Sequence, residues 1–140
     1  MATTIDELKT LLKDKMEGLA VFGEVFPYGQ GDFSKYPVCV ITPVGGKGNT
    51  IDTNRVERTF QFLIKLYQEQ SIAGKTKQEA DAIMTQISDA ILTSFDQDPD
   101  LAGEVEIVRV VEFELDFKVA AGTFNFATFR VDCVVIVPNY

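Results

Sequence analysis

The sequence predicts an α+β domain: a mostly antiparallel sheet with two helices packed on one face and a long protruding β-hairpin. Two segments carry apolar residues at helical spacing, and several others alternate apolar with polar residues at period two. Their order along the chain is helix, strands, helix, strands, which favours helices gathered on one side of an antiparallel sheet. A length of 140 residues suits a single domain with its own core, so the whole span 1–140 is read as one unit.

The first helix is TTIDELKTLLKDKMEGL. Thr4 followed three residues later by Glu7 predicts a capping box. Ile5, Leu8, Leu11, Leu12 and Met16 form one apolar stripe, and Gly18 or Gly23 ends the helix. AVFGEVFPYGQGDFSKY reads as a short extended piece and a glycine-bearing loop. YPVCVITPV is a brief strand, apolar on both parities, placed centrally at Val38–Ile41. In TNRVERTFQFLIKLYQEQ, Phe60, Phe62, Ile64 and Leu66 alternate with Thr59, Gln61, Leu63, Lys65 and Tyr67, as a half-buried strand requires. These two strands and the PVGGKGNTID segment between them make the long hairpin.

GKTKQEADAIMTQISDAILTSFDQD is the second helix, with Ala80, Ile83, Met84, Ile87, Ile91, Leu92 and Phe95 along one face and Pro99 as the breaker beyond it. In EVEIVRVVEFELDFKV, Ile107, Val111, Phe113, Leu115 and Phe117 share one parity, while Glu106, Glu112, Glu114, Asp116 and Lys118 share the other. AAGT is a turn, and FNFATFRVDCVVIVP returns as the last strand. There Phe124 and Phe126 lie on the opposite parity from Phe129, Val131, Cys133, Val135 and Val137, so the sequence predicts either a bulge near Ala127 or a strand covered on both faces there. Val108 and Val110 place apolar surface on the second face of the sheet, a surplus that predicts a partner chain.

Composition narrows the chemistry. With 21 acidic and 13 basic side chains the formal net charge is -8, and no basic stripe is present to neutralise phosphates. Specific nucleic-acid binding is therefore not expected, although DNA passing by without binding is compatible with an acidic surface. Histidine is absent, which removes the commonest general base and metal ligand. Cys39 and Cys133 each sit in an apolar run and are read as small buried hydrophobes. No stretch approaches the ~20 apolar residues of a membrane span. The N-terminus has acids among its apolar positions and no apolar signal core, so a soluble compartment is expected.

Gly45, Gly46, Lys47, Gly48 and Asn49 invite comparison with a phosphate-binding loop. Such a loop needs a first glycine separated by four residues from Gly-Lys, a Ser or Thr after the lysine, and a helix whose N-terminus meets the phosphate. Here Gly48 follows Lys47, and the next element is a strand. The segment is read instead as an exposed, flexible hairpin tip that reaches a neighbouring subunit. Glu112, Glu114 and Asp116, with Glu106 extending the row, are read as a solvated acidic face; two carboxylates at equal exposure do not split into an acid and a base. DQDPD lacks the ligand ladder of a calcium loop, and Ser34, Ser71, Ser88 and Ser94 have no histidine to activate them. The 11 phenylalanines fall largely on strands among acids, a pattern of core and interface packing. No catalytic, cofactor-binding or metal-binding residue is assigned.

An amphipathic N-terminal helix leading into FGEVFPYGQGDFSKYPVCVITP, a long strand NRVERTFQFLIKLYQE, the helix KQEADAIMTQISDAILTSFDQDPDL and two closing strands span nearly the whole chain. This order resembles the tail terminator, or tail-completion, proteins of long-tailed bacteriophages, the lambda-type minor tail protein family. The resemblance rests on element order, length and texture rather than on an invariant signature. It implies a structural α+β subunit, not an enzyme, that assembles into a hexameric ring in the host cytoplasm. In the virion the ring caps the tail tube protein at its head-proximal end, stops polymerisation, presents the surface that the head–tail connector protein joins, and lets DNA pass. On this reading Gly45–Asn49 contacts the neighbouring subunit, and Glu106, Glu112, Glu114 and Asp116 are candidates for the lumen wall. Two alternatives stand beside it: another head–tail connector or neck adaptor, and a small ligand-binding or enzymatic α+β domain, against which the absence of histidine and of any convergent polar motif counts.

Overall fold

A computed structural model describes residues 2–27, 37–69, 77–116 and 124–138. The glycine-bearing loop at 28–36, the 70–76 stretch before the second helix, Phe117, Lys118 and the AAGT turn lie outside the described residues. The elements run α1 (Ile5–Gly18), β1 (Glu24–Phe26), β2 (Val38–Thr50), β3 (Arg55–Glu69), α2 (Lys77–Gln97), β4 (Ile107–Asp116) and β5 (Phe124–Pro138). No helix among the described residues is long and apolar enough to cross a membrane.

Thr4 caps α1 in an extended conformation, and its Oγ1 accepts the Glu7 N–H at 3.2 Å. The Thr4 hydroxyl in turn donates to Glu7 Oε1 at 2.9 Å, so the carboxylate meets the hydroxyl of the capping residue. The helix closes at Gly18, but the left-handed conformation beyond it falls on Ala20 (φ 57), whose N–H bonds to the Glu17 carbonyl at 3.1 Å. A residue with a Cβ thus occupies a position where glycine is favoured. Leu8, Leu12 and Met16 are buried, as the stripe predicts.

The sheet has five strands in the order β1-β2-β3-β5-β4. It is mixed: β1 lies parallel to β2, and the other three pairs are antiparallel. Phe62, Ile64 and Leu66 of β3 stand opposite Val131, Phe129 and Ala127 of β5, and Ile41 and Cys39 of β2 lie level with Ile64 and Leu66. Cross-strand partners share a face, and this face belongs to one apolar cluster with Leu8, Leu12 and Met16 of α1 and Met84, Ile87, Ile91 and Phe95 of α2. It is called the core face below. The Lys15 ammonium joins the two helices, lying 3.0 Å from Asp98 Oδ2 and 5.3 Å from the centroid of the Phe95 ring. Cys39 and Cys133 are free and buried; loss of solvation pushes each thiol up to about 12, so both stay protonated.

Two expectations about register change. β5 pairs with β3 without interruption from Phe124 to Pro138, so there is no bulge at Ala127. The irregularity lies across the sheet in β4, between Val110 and Glu112, where Val111 is the extra residue. Val108 and Val110 therefore pair with Cys133 and Val131 on the core face, and Val108 is buried there. They supply core, not surplus surface for a partner. Beyond the bulge the parity reverses, and Phe113 takes its place opposite Phe129.

Candidate functional site

Gly45–Asn49 is not the tip of the hairpin. All five residues belong to β2 and pair with β3, from Gly45 opposite Gln61 to Asn49 opposite Glu57. The turn lies further on, at 51–54, and it is held by side chains rather than by glycine. Asp52 Oδ1 accepts the Asn54 N–H at 2.8 Å, and Arg55 donates from Nε and Nη2 to Asp52 Oδ2 at 3.0 and 2.9 Å. These donors hold the Asp52 carboxyl below the usual carboxylate range. β5 accompanies β3 as far as Arg55, opposite Pro138, so the hairpin is backed by a third strand along its length.

The three glycines have different structural reasons. A bulge between Pro43 and Gly45 gives Gly45 φ 148, a conformation that L side chains rarely adopt. A Cβ on Gly46 would collide with the backbone carbonyl oxygen of Thr59. At Gly48 a Cβ would meet only ordinary contacts, at 3.9 Å or more. With no side chains over this part of β2, a groove of about 420 Å³ opens on the core face, bordered by Ile5, Pro43, Gly46, Gly48, Phe60 and Phe62. Lys47 stands opposite Thr59 and therefore on the other face.

β1 covers β2 only at Val38–Val40. From Ile41 to Thr50 no strand among the described residues pairs with the outer edge of β2, and none pairs with the outer edge of β4. Alternate N–H and C=O groups of an edge strand point outward and can template a further strand. Exposed large apolar side chains gather at these two edges. Ile107, Val111, Phe113 and Leu115 lie on β4 with Phe126 beside them on β5, and Val44, Ile51 and Ile5 lie at the β2 end. Phe113 is 51% exposed although its ring stacks on buried Phe129 at 6.2 Å between centroids. Of the core and interface packing expected for the phenylalanines, Phe113 contributes exposed edge surface rather than core.

Glu112 and Glu114 are exposed, opposite Arg130 and Thr128 of β5, with a recess of about 230 Å³ between them and Leu63. Asp116 is half-buried opposite Phe126. Glu106 lies across the Val111 bulge from them, so the alternation counted along the sequence does not carry the row through to it. The face is also mixed in charge, with Arg130 opposite Glu112, Arg109 opposite Asp132, and Lys65 opposite Thr128. The signal missed in the sequence is the doublet Val110-Val111. Apolar parity switches there from Val108 and Val110 to Phe113 and Leu115, which marks the bulge and, with it, the outward face of β4.

The chain matches no protein-family model and no curated protein.

Proposed function

We propose that this chain is a virion structural protein: a tail terminator of a long-tailed bacteriophage that forms a hexameric ring on the head-proximal end of the tail tube. The observation that supports the reading is the pair of unlike apolar edges on one small domain. A closed ring needs a heterologous contact, in which one patch meets a different patch on the next copy. β4 offers Val111, Phe113 and Leu115, and the β2 end offers Val44 and the groove bordered by Phe60 and Phe62. Exposed apolar residues clustered along edges that no strand among the described residues covers are a surface for a partner rather than for water.

In this reading both helices lie together on the core face, and the β2–β3 hairpin extends past them toward the neighbour. The ring stops addition of tube subunits on one side, meets the head–tail connector on the other, and encloses DNA without binding it specifically. The negative net charge serves that passage, because DNA phosphates meet like charge. The subunit is made in the host cytoplasm and carried in the virion, with no enzymatic step and no cofactor in its action. Native mass spectrometry of the purified chain with class-averaged electron micrographs tests the ring: six-fold rings at six times the 15.5 kDa chain mass are expected. Closed rings of another order, or open filaments, would refute the hexamer.

A further inference from the structure

We propose that the outer edge of β4 in one copy pairs antiparallel with the open edge of β2 in the next, seating Phe113 in the groove over Gly46 and Gly48. The inference rests on the reading of the chain as a ring subunit, and it names the surfaces that make the ring. β2 and β5 run in one direction and β3 and β4 in the other. A copy related by rotation about an axis roughly along the strands therefore brings its β2 antiparallel to β4 of its neighbour, with core face continuing into core face.

Side-chain parity then agrees on both faces. Phe113, on the core face through its pairing with Phe129, meets the groove, which is also on the core face. Glu112 and Glu114 project to the other face, where Lys47 stands. With Phe113 opposite Gly46, Glu112 meets Lys47; with Phe113 opposite Gly48, Glu114 meets it. Lys47 is the one charged residue between Val38 and Thr50 in a chain of net charge -8, and β4 carries Glu112, Glu114 and Asp116 against Arg109 alone. Charge complementarity thus selects a second copy of this chain as occupant of the β2 edge. The lack of side chains at Gly46 and Gly48 is what lets a neighbour's aromatic ring reach Phe60 and Phe62. Within one sheet Phe113 is level with Ile41, through Phe129 and Ile64. The pairing therefore staggers neighbours along the strand direction, as in closed sheets whose strands incline to the axis.

Cysteine cross-linking tests the pairing directly. The native thiols are buried and held protonated, so they do not compete. Full-length Lys47→Cys, Glu112→Cys and Glu114→Cys are prepared singly and then mixed in pairs under oxidising conditions at concentrations where the protein is oligomeric. Dimers are expected only when Lys47→Cys is mixed with one of the two β4 variants. A chain carrying both cysteines should give a ladder of higher species. In parallel, Phe113→Asp should sediment as a monomer with unchanged circular dichroism, since the side chain is half exposed in the single copy. Dimers from Glu112→Cys or Glu114→Cys alone would show β4 meeting β4 and overturn the proposal. Failure of both mixtures to cross-link in a wild-type-sized oligomer, or an unchanged oligomer in Phe113→Asp, would overturn it too, while a ring built on other surfaces would survive. Correct cross-links in rings that do not cap tubes would refute the functional reading and leave the edge pairing standing.

Discussion

Gly46 and Gly48 lie two residues apart on the same strand and look equivalent in the sequence, yet replacing each with alanine should have opposite effects. An alanine Cβ at Gly46 collides with the Thr59 carbonyl oxygen, and its next nearest neighbours, at 3.4 Å, are also backbone atoms. No side chain can rotate to relieve the overlap, so β2 and β3 must separate locally. Overpacking against atoms that cannot step aside costs about 1–3 kcal/mol, and the absence of any flexible neighbour places Gly46→Ala near about 2 kcal/mol. At Gly48 the nearest atoms are 3.9 Å away or more. There alanine removes backbone freedom from the unfolded chain and should stabilise by about 0.5 kcal/mol. The assay is urea unfolding followed by circular dichroism, at a protein concentration where sedimentation shows a single copy, because any self-association would couple to stability. With a urea slope of about 2 kcal/mol per molar, the two midpoints should differ by about 1 M. Equal midpoints, or a larger loss at Gly48, would refute the close approach of the two strands at Gly46.

Three further outcomes follow from other parts of the molecule. Ala20→Gly should raise stability by about 0.5–1 kcal/mol, because Ala20 holds φ 57 where glycine pays no steric penalty; thermal unfolding reads the gain. Asp98 receives the Ala102 N–H and then the Lys15 ammonium, which hold its carboxyl below its ordinary value. A depressed folded-state carboxylate contributes stability above its unfolded value and loses it as pH falls through the folded one, so wild type should lose stability more steeply than Asp98→Asn during acidification below about pH 4. Glu112→Lys with Glu114→Lys should leave the unfolding free energy of the single copy within about 0.5 kcal/mol of wild type, since both side chains are exposed there, and should weaken self-association by setting lysine against Lys47 of the next copy, as read by sedimentation velocity. Unchanged self-association would refute the pairing of that face with Lys47.

The parts of the fold legible in the sequence are those where local pattern and burial agree. Met84, Ile87, Ile91 and Phe95 on α2, and Phe62, Ile64 and Leu66 on β3, are buried as their spacing predicts. Glycine is the usual turn residue and so points to Gly45–Gly48, whereas here Asp52, Asn54 and Arg55 make the turn through side-chain bonds and the glycines sit in a strand. The short extended piece expected after α1 is β1, but three residues carry no pattern that gives its partner, and its parallel pairing with Val38–Val40 is tertiary. In β4 the bulge at Val111 exchanges the faces, so parity counted through it groups Ile107 with Phe113, which lie on opposite faces, and puts buried Val108 on a surplus face. The candidate site shifts accordingly, from a glycine tip and an acidic row to two sheet edges that only the strand order reveals.

The central claim is that this chain ends a tail tube. The direct measurement is cryo-electron microscopy of tail-tube subunits of the same phage, polymerised with and without the purified protein. The account predicts shorter tubes in proportion to added protein, each ending in a six-fold ring of this chain at one end only. Tubes of unchanged length with bare ends, in the presence of excess folded protein, would contradict it.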